Sequence, residues 1–231
     1  MDLAPDEIEA VFLSLKVALV ATLLSLPLAV ALAFLLSRRD FFGKSLLQAV
    51  VTLPLVMPPV VTGYLLLIAF GRKGPVGSFL ESALGLVLSF RWTGAALAAG
   101  VMGLPLMVQA IRISMEAVDA RLEAAARTLG ANRIWVFATI TLPLSLPGIL
   151  AGLFVGFAKA LGEFGATITF VSAIPGETLT IASAIHRALQ EPGGEAAAWR
   201  LTLISIAISF LAVLLSEILS RRLRAGLGAG R

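Results

Sequence analysis

The chain of 231 residues contains no cysteine and one histidine, and only 14% of its residues are charged. Without cysteine there are no disulfides and no thiolate metal sites, so nothing can be read about redox compartment. His186 alone cannot form a metal cluster, and no serine, histidine and acid are placed to act together. A phosphate-binding glycine loop is also missing, because Gly71-Arg72-Lys73-Gly74 has the wrong spacing. These absences exclude catalysis by the chain itself and predict a non-enzyme without metal or cofactor. A soluble domain carries about a quarter charged residues. The shortage here, with 58% hydrophobic residues and a mean hydropathy of +0.97, implies an integral helical membrane protein. The net charge of +4 does not indicate nucleic-acid binding, since the basic residues cluster at the ends of apolar runs. The opening MDLAPDEIEA is acidic and lacks the basic start of a cleaved signal peptide.

What is present is a series of charge-free runs. Val17 to Leu36 is long enough for one span, with Lys16 placed to snorkel at one end and Pro27 as a mid-span kink. Ser37-Arg38-Arg39-Asp40 closes it as a basic turn reinforced by Lys44. Ser45 to Phe70 forms a second run and holds Pro54, Pro58 and Pro59. It reads either as a kinked lipid-facing helix or as a broken helix lining a pathway, with Pro58 and Pro59 at the break. Val76 to Phe90, interrupted by Glu81, is too short to cross and reads as an outer surface helix. Thr93 to about Ile111 is the third span and is rich in small residues suited to close helix contact. Ile134 to Ala158 is the fourth, kinked through Pro143 and Pro147, with Gly148, Gly152 and Gly156 forming a ridge at one-turn spacing.

Beyond it, Gly162-Glu163-Phe164-Gly165 places a carboxylate between glycines just after an apolar run. Glu163 either caps a helix and pairs with Lys159, or takes part in a gate. Thr178 to Leu189 reads as an amphipathic surface helix carrying His186 and Arg187. Leu201 to about Leu219 is the last span and stops at Ser220-Arg221-Arg222-Leu223-Arg224. Five crossings result. Arg112, Arg121, Arg127 and Arg133 mark the cytoplasmic side, so the N-terminus is expected outside and the C-terminus inside.

The polar island from Asp119 to Pro143 organises the rest. Val118, Leu122, Ala125 and Leu129 share one helical stripe, Glu123, Ala126, Arg127 and Gly130 a neighbouring one. Alanine at 124, 125 and 126 favours helix, and Gly130 supplies the stop. Glu123, Ala125, Ala126 and Gly130 are followed after nine residues by Ile140, Leu142 and Pro143. This spacing resembles the signature loop of the permease subunits of ABC importers, with one residue inserted between Glu123 and the alanine pair.

The resemblance covers nearly the whole chain. It narrows to the oxyanion branch through Gly162–Thr167, Ile174-Pro175-Gly176-Glu177-Thr178 and Leu53–Gly63, which look like the segments of bacterial molybdate permeases. It implies an all-α fold of the type I ABC importer permeases and a single transmembrane domain over residues 1–231, with a cytoplasmic coupling loop at 119–133. Asp119, Leu122, Glu123, Ala125, Ala126, Leu129, Gly130, Ile140, Leu142 and Pro143 would then couple to an ATPase. Pro58, Pro59, Gly162, Glu163, Phe164 and Gly165 would line a pathway or gate. Lys159 and Arg200 either attract the anion or anchor their helices at the interface. The implied partners are a second copy of the chain, two ABC ATPase subunits holding ATP and Mg, an extracytoplasmic oxyanion-binding protein and membrane lipid. The implied place is the bacterial cytoplasmic membrane. Sulfate or tungstate permeases of the same family, or a secondary transporter that needs no ATPase, are the competing expectations.

Overall fold

The computed structural model describes residues 4–228, with side chains described through residue 222. The elements run α1 (Pro5–Arg38), α2 (Lys44–Val56), α3 (Pro59–Phe70), α4 (Pro75–Leu84), α5 (Trp92–Glu116), α6 (Ala120–Thr128) and α7 (Arg133–Val136). A π-helical turn (Phe137–Thr141) leads into α8 (Leu142–Leu144), α9 (Leu146–Leu161), α10 (Gly165–Val171), α11 (Ile181–Ala188) and α12 (Glu195–Gly228). Among the described residues there is no strand.

The first helix is longer than the charge-free run within it, because residues before Val17 find partners in the fold. Proline at the first helical position leaves no orphan N–H, and the Glu7 carboxylate accepts from the Ala4 N–H at 2.8 Å. Glu7 is buried and receives Arg200 of α12 at 2.7 Å, while Ser14 accepts from the Ile181 N–H at 2.7 Å. Lys16, expected to snorkel at a span end, is exposed and lies 3.7 Å over the Trp92 ring, and the helix continues through it. Asp2, part of the acidic opening, lies outside the described residues, and the side chain of Arg224 is likewise not described.

Small side chains set the packing between the long helices. Ala18 and Ala21 of α1 meet Ala95, Ala98 and Ala99 of α5 in one core. The glycine ridge of α9 rests on the other face of α5. A Cβ at Gly152 would lie 2.9 Å from Ile111 Cγ1, and one at Gly156 2.6 Å from Met107 Cγ. Close approach of backbones gives dispersion contacts over the whole helix length, which in lipid replaces the hydrophobic effect as the cohesive force.

Among the described residues, three unbroken helices are long and apolar enough to cross a membrane: α1, α5 and α12. Two bent pairs bring the number to five if each is one span. The first pair, α2 and α3, turns through 112° at Met57-Pro58, where three prolines sit within six residues. The run is therefore a broken helix rather than a kinked one. The second pair turns through 68° at Ser145 and ends at Leu161. Helix α4 is mostly exposed, with Phe79 and Leu84 outward, and its Glu81 faces Arg72 at 3.8 Å. The helix expected over Thr178 to Leu189 begins only at Ile181. Thr178 is fully buried and its hydroxyl accepts from the Ile174 N–H at 2.8 Å, which holds residues 174–178 as a loop.

Candidate functional site

Helix α6 stands at the end of the bundle where α1 and α5 finish. Asp119 caps it by accepting from the Arg121 N–H at 2.8 Å. At its other end Gly130 takes φ +87°. The Gly130 N–H then donates to Arg127 O and the Ala131 N–H to Ala126 O, both at 3.1 Å. This paired closure needs a left-handed residue, which glycine supplies without steric cost. Asn132 starts α7 at once by accepting from the Trp135 N–H at 2.8 Å.

The burial of α6 is the reverse of an ordinary amphipathic helix. Glu123 is its one buried residue, whereas Leu122 is 43% exposed and Leu129 89% exposed. Ala125 is also exposed and Ala126 half-buried, so of the expected stripe only Val118 turns inward. Glu123 Oε1 lies 3.0 Å from Arg38 Nη2 in an ion pair and accepts from the Thr141 hydroxyl at 2.8 Å. Arg38 also donates to Val118 O at 3.0 Å, and Arg127 donates to the Glu123 carbonyl at 3.1 Å. One carboxylate thus ties α6 to the end of α1 and to the π turn. The extra residue in that turn points Thr141 at the carboxylate. Ile140 within that turn and Leu142 after it are half-buried, and Pro143 is exposed within α8. What remains outside includes Leu122, Ala124, Ala125 and Leu129, with Arg121 and Arg127 beside them.

The expected pathway residues fall into one neighbourhood. Helix α10 crosses α3 so closely that a Cβ at Gly165 would lie 2.7 Å from Pro59 Cβ, and one at Gly63 2.8 Å from Thr169 Cβ. Pro58 and Pro59 are exposed at the break, Gly162 is exposed, and the Phe164 ring meets the His186 ring at 4.9 Å between centroids. Glu163 is 3% exposed. It receives Lys159 Nζ at 2.6 Å and accepts from the Ala166 N–H at 3.0 Å, the geometry of a counterion and cap at the start of α10. Lys159 and Arg200 are each closed into an ion pair, with Glu163 and with Glu7. Neither presents an unbalanced positive charge.

The sequence marks Arg38 only as a sign of topology and assigns no role to Thr141 or Glu7. Their partners lie beyond any local spacing. Arg38 reaches Glu123 through space from another helix, Thr141 reaches it through the π turn, and Glu7 meets Arg200 from the opposite end of the chain. Among the described residues no group of three His, Cys, Asp or Glu side chains converges as a metal site would require.

Residues 25–225 match the family described as binding-protein-dependent transport system inner membrane component. The molybdenum transport system permease protein ModB of Escherichia coli K12 is 57% identical over 228 residues, covering 98% of this chain and 100% of the relative. Its counterpart in Haemophilus influenzae is 56% identical, covering 97% of this chain and 98% of the relative. Two solved structures share the fold at low identity. A bacterial ABC transporter involved in the import of the acidic polysaccharide alginate has a TM-score of 0.72 at 19% identity, over 95% of this chain and 80% of that one. The inward-facing MetNI methionine ABC transporter has a TM-score of 0.71 at 12% identity, over 94% of this chain and 95% of that one. Matched along nearly its whole length, the chain belongs to the binding-protein-dependent inner membrane components, as a multi-pass transport permease with the all-helical fold of ABC importers.

Proposed function

We propose that this chain is the membrane-spanning subunit of an ATP-driven importer of molybdate, working as one transmembrane unit over residues 1–231. The observation that carries the reading is full-length similarity to molybdenum transport permeases, combined with a helix that hides its carboxylate and exposes its leucines. The loop at 119–133 is the coupling segment. Leu122, Ala125 and Leu129 offer an apolar, small-residue face to a separate ATPase subunit, which holds the ATP and Mg.

Asp119 and Gly130 fix the two ends of that face. Glu123, with Arg38 and Thr141, passes a push on α6 to α1 and to the π turn before Leu142 and Pro143. Ala126 lets the helix lie close to the neighbouring backbone. Two copies of the chain enclose the pathway, with α3 and α10 at its wall and Pro58, Pro59 and Gly162–Gly165 at its narrow part. An extracytoplasmic binding protein delivers the anion. The concentration of Arg38, Arg39, Arg112, Arg121, Arg127 and Arg133 at the α6 end supports a cytoplasmic α6, an outer N-terminus and an inner C-terminus.

Rocking of rigid helices between two packed arrangements supplies alternating access. ATP binding draws the two coupling segments together and opens the pathway outward, and hydrolysis returns it inward. A tight anion site in the permease would slow release, so selection belongs to the binding protein. Proteoliposomes holding the permease, its ATPase and the binding protein should accumulate molybdate only with ATP supplied on the ATPase side. Uptake that persists without the ATPase would favour a secondary transporter, and uptake of sulfate with none of molybdate would move the substrate.

A further inference from the structure

At the α6 end a cavity of about 310 Å³ opens between α1, α6, α7 and the π turn. Four guanidinium groups line it, from Arg38, Arg39, Arg127 and Arg133, against the single carboxylate of Glu123. That carboxylate is already matched by Arg38 at 3.0 Å and by the Thr141 hydroxyl. Arg39 and Arg133 form no ion pair among the described residues, and the buried Arg38 Nε has no hydrogen-bond partner there. The rest of the wall is apolar, from Phe34, Ile134, Val136 and Phe137. Beside it Ile134 is 80% exposed and Trp135 63% exposed.

A site that is cationic on one side and apolar on the other, where a spanning helix ends beside an exposed tryptophan, has the composition of a membrane interface. Guanidinium forks match phosphate oxygens in pairs, and basic pockets between spanning helices on the cytoplasmic side suit acidic headgroups. We infer that this cavity binds a phosphate group, that of an acidic phospholipid headgroup whose acyl chains lie along Phe34 and Ile134. A bound headgroup bridges α1 and α7 behind α6, on the side away from the exposed leucines. Such binding requires only that the chain sits in a membrane, so its failure and the failure of the importer reading are distinguishable.

The full-length permease in nanodiscs of phosphatidylcholine with a minor fraction of phosphatidylglycerol tests it, by native mass spectrometry of lipid retained after release. Wild type should keep about one phosphatidylglycerol per chain in preference to phosphatidylcholine, the stoichiometry of one headgroup per basic pocket. The double variant Arg39→Gln/Arg133→Gln changes exposed residues and should fold, and should lose about tenfold or more of that retention, as expected for removal of two guanidinium–phosphate contacts. Arg91→Gln, at the other end of α5, should lose none. A second arm titrates inorganic phosphate into the permease in pure phosphatidylcholine discs and reads the melting temperature. A rise of several degrees that the double variant abolishes, without selective lipid retention, would overturn the lipid assignment and give the same arginines to free phosphate. Equal phosphatidylglycerol retention by wild type and double variant, with no response to phosphate, overturns the site altogether.

Discussion

Replacing Gly130 separates the shape of the α6–α7 turn from its surface chemistry. The residue sits at φ +87°, and a Cβ added there would meet nothing within 4 Å. Sterically the site is open, so any cost of Gly130→Val comes from the backbone. A left-handed L-residue costs roughly 1–2 kcal/mol, more with β-branching. Relief comes by opening the turn, which breaks the Ala131 and Gly130 hydrogen bonds and frays the turn that carries Leu129. A penalty of that size shifts the formed-to-frayed ratio by about 5- to 30-fold. Apparent affinity for a partner that needs the formed turn falls by the same factor where the frayed form dominates.

The assay is co-purification of the ATPase with tagged permease, beside membrane insertion. The Gly130→Val variant should insert normally and retain several-fold less ATPase, while Gly130→Asn, which tolerates the left-handed region, should recover most of it. Wild-type retention by Gly130→Val would show that the left-handed turn is not needed to hold the ATPase. Equal damage from Gly130→Asn would show that the position acts by contact rather than by conformation.

The other expectations rest on single geometries. Glu123→Ala strands Arg38 inside and should lower stability by about 3–5 kcal/mol, whereas Thr141→Val should cost roughly 1–2 kcal/mol, both readable by thermal melting in detergent. Gly152→Leu should cost at least about 1–3 kcal/mol through overpacking against Ile111 and Met107. Gly162→Ala, whose Cβ would lie an ordinary 3.8 Å from Ala158 O, should melt like wild type. Glu163→Gln keeps an acceptor for the Ala166 N–H but strands Lys159. Adding Lys159→Met should restore its melting temperature, and failure to do so would show that the carboxylate does more for stability than balance Lys159. The Lys44 ammonium, hydrogen-bonded to Asp40 at 2.9 Å, holds that carboxyl below its usual 3.8. A depressed carboxylate supports the folded turn above its ordinary range and loses that support as pH falls through the folded value. Lys44→Met should move the Asp40 titration upward by carboxyl-resolved NMR.

The spans are legible in the sequence because transfer of charge into lipid is so costly that charge-free runs betray them. A disruption near Met57-Pro58 is legible because three prolines remove hydrogen bonds within a short stretch, but whether it is a kink or a break is settled only by the 112° bend. Gly130 and the α9 ridge are likewise readable, since their roles follow from backbone geometry alone. The orientation of Glu123 is not. Nothing local tells a carboxylate that its counterion lies on a helix ending at residue 38, and the π turn that delivers Thr141 has no composition of its own. The same holds for Arg200, whose partner Glu7 lies at the other end of the chain, whereas the Lys159–Glu163 pair is four residues apart and follows from spacing. Long-range ion pairs inside a bundle are fixed by packing, and packing is the last thing a sequence pattern displays.

Because the chain has no native cysteine, a single cysteine replacing Leu129 is a unique chemical handle. Labelling it with a membrane-impermeant maleimide, in inside-out vesicles and in intact spheroplasts, tests directly whether α6 presents its leucine face to a cytoplasmic ATPase. Fast labelling in inside-out vesicles only, suppressed when the ATPase is bound, is the expected result. Labelling from the spheroplast exterior, or a rate indifferent to the ATPase, would contradict it.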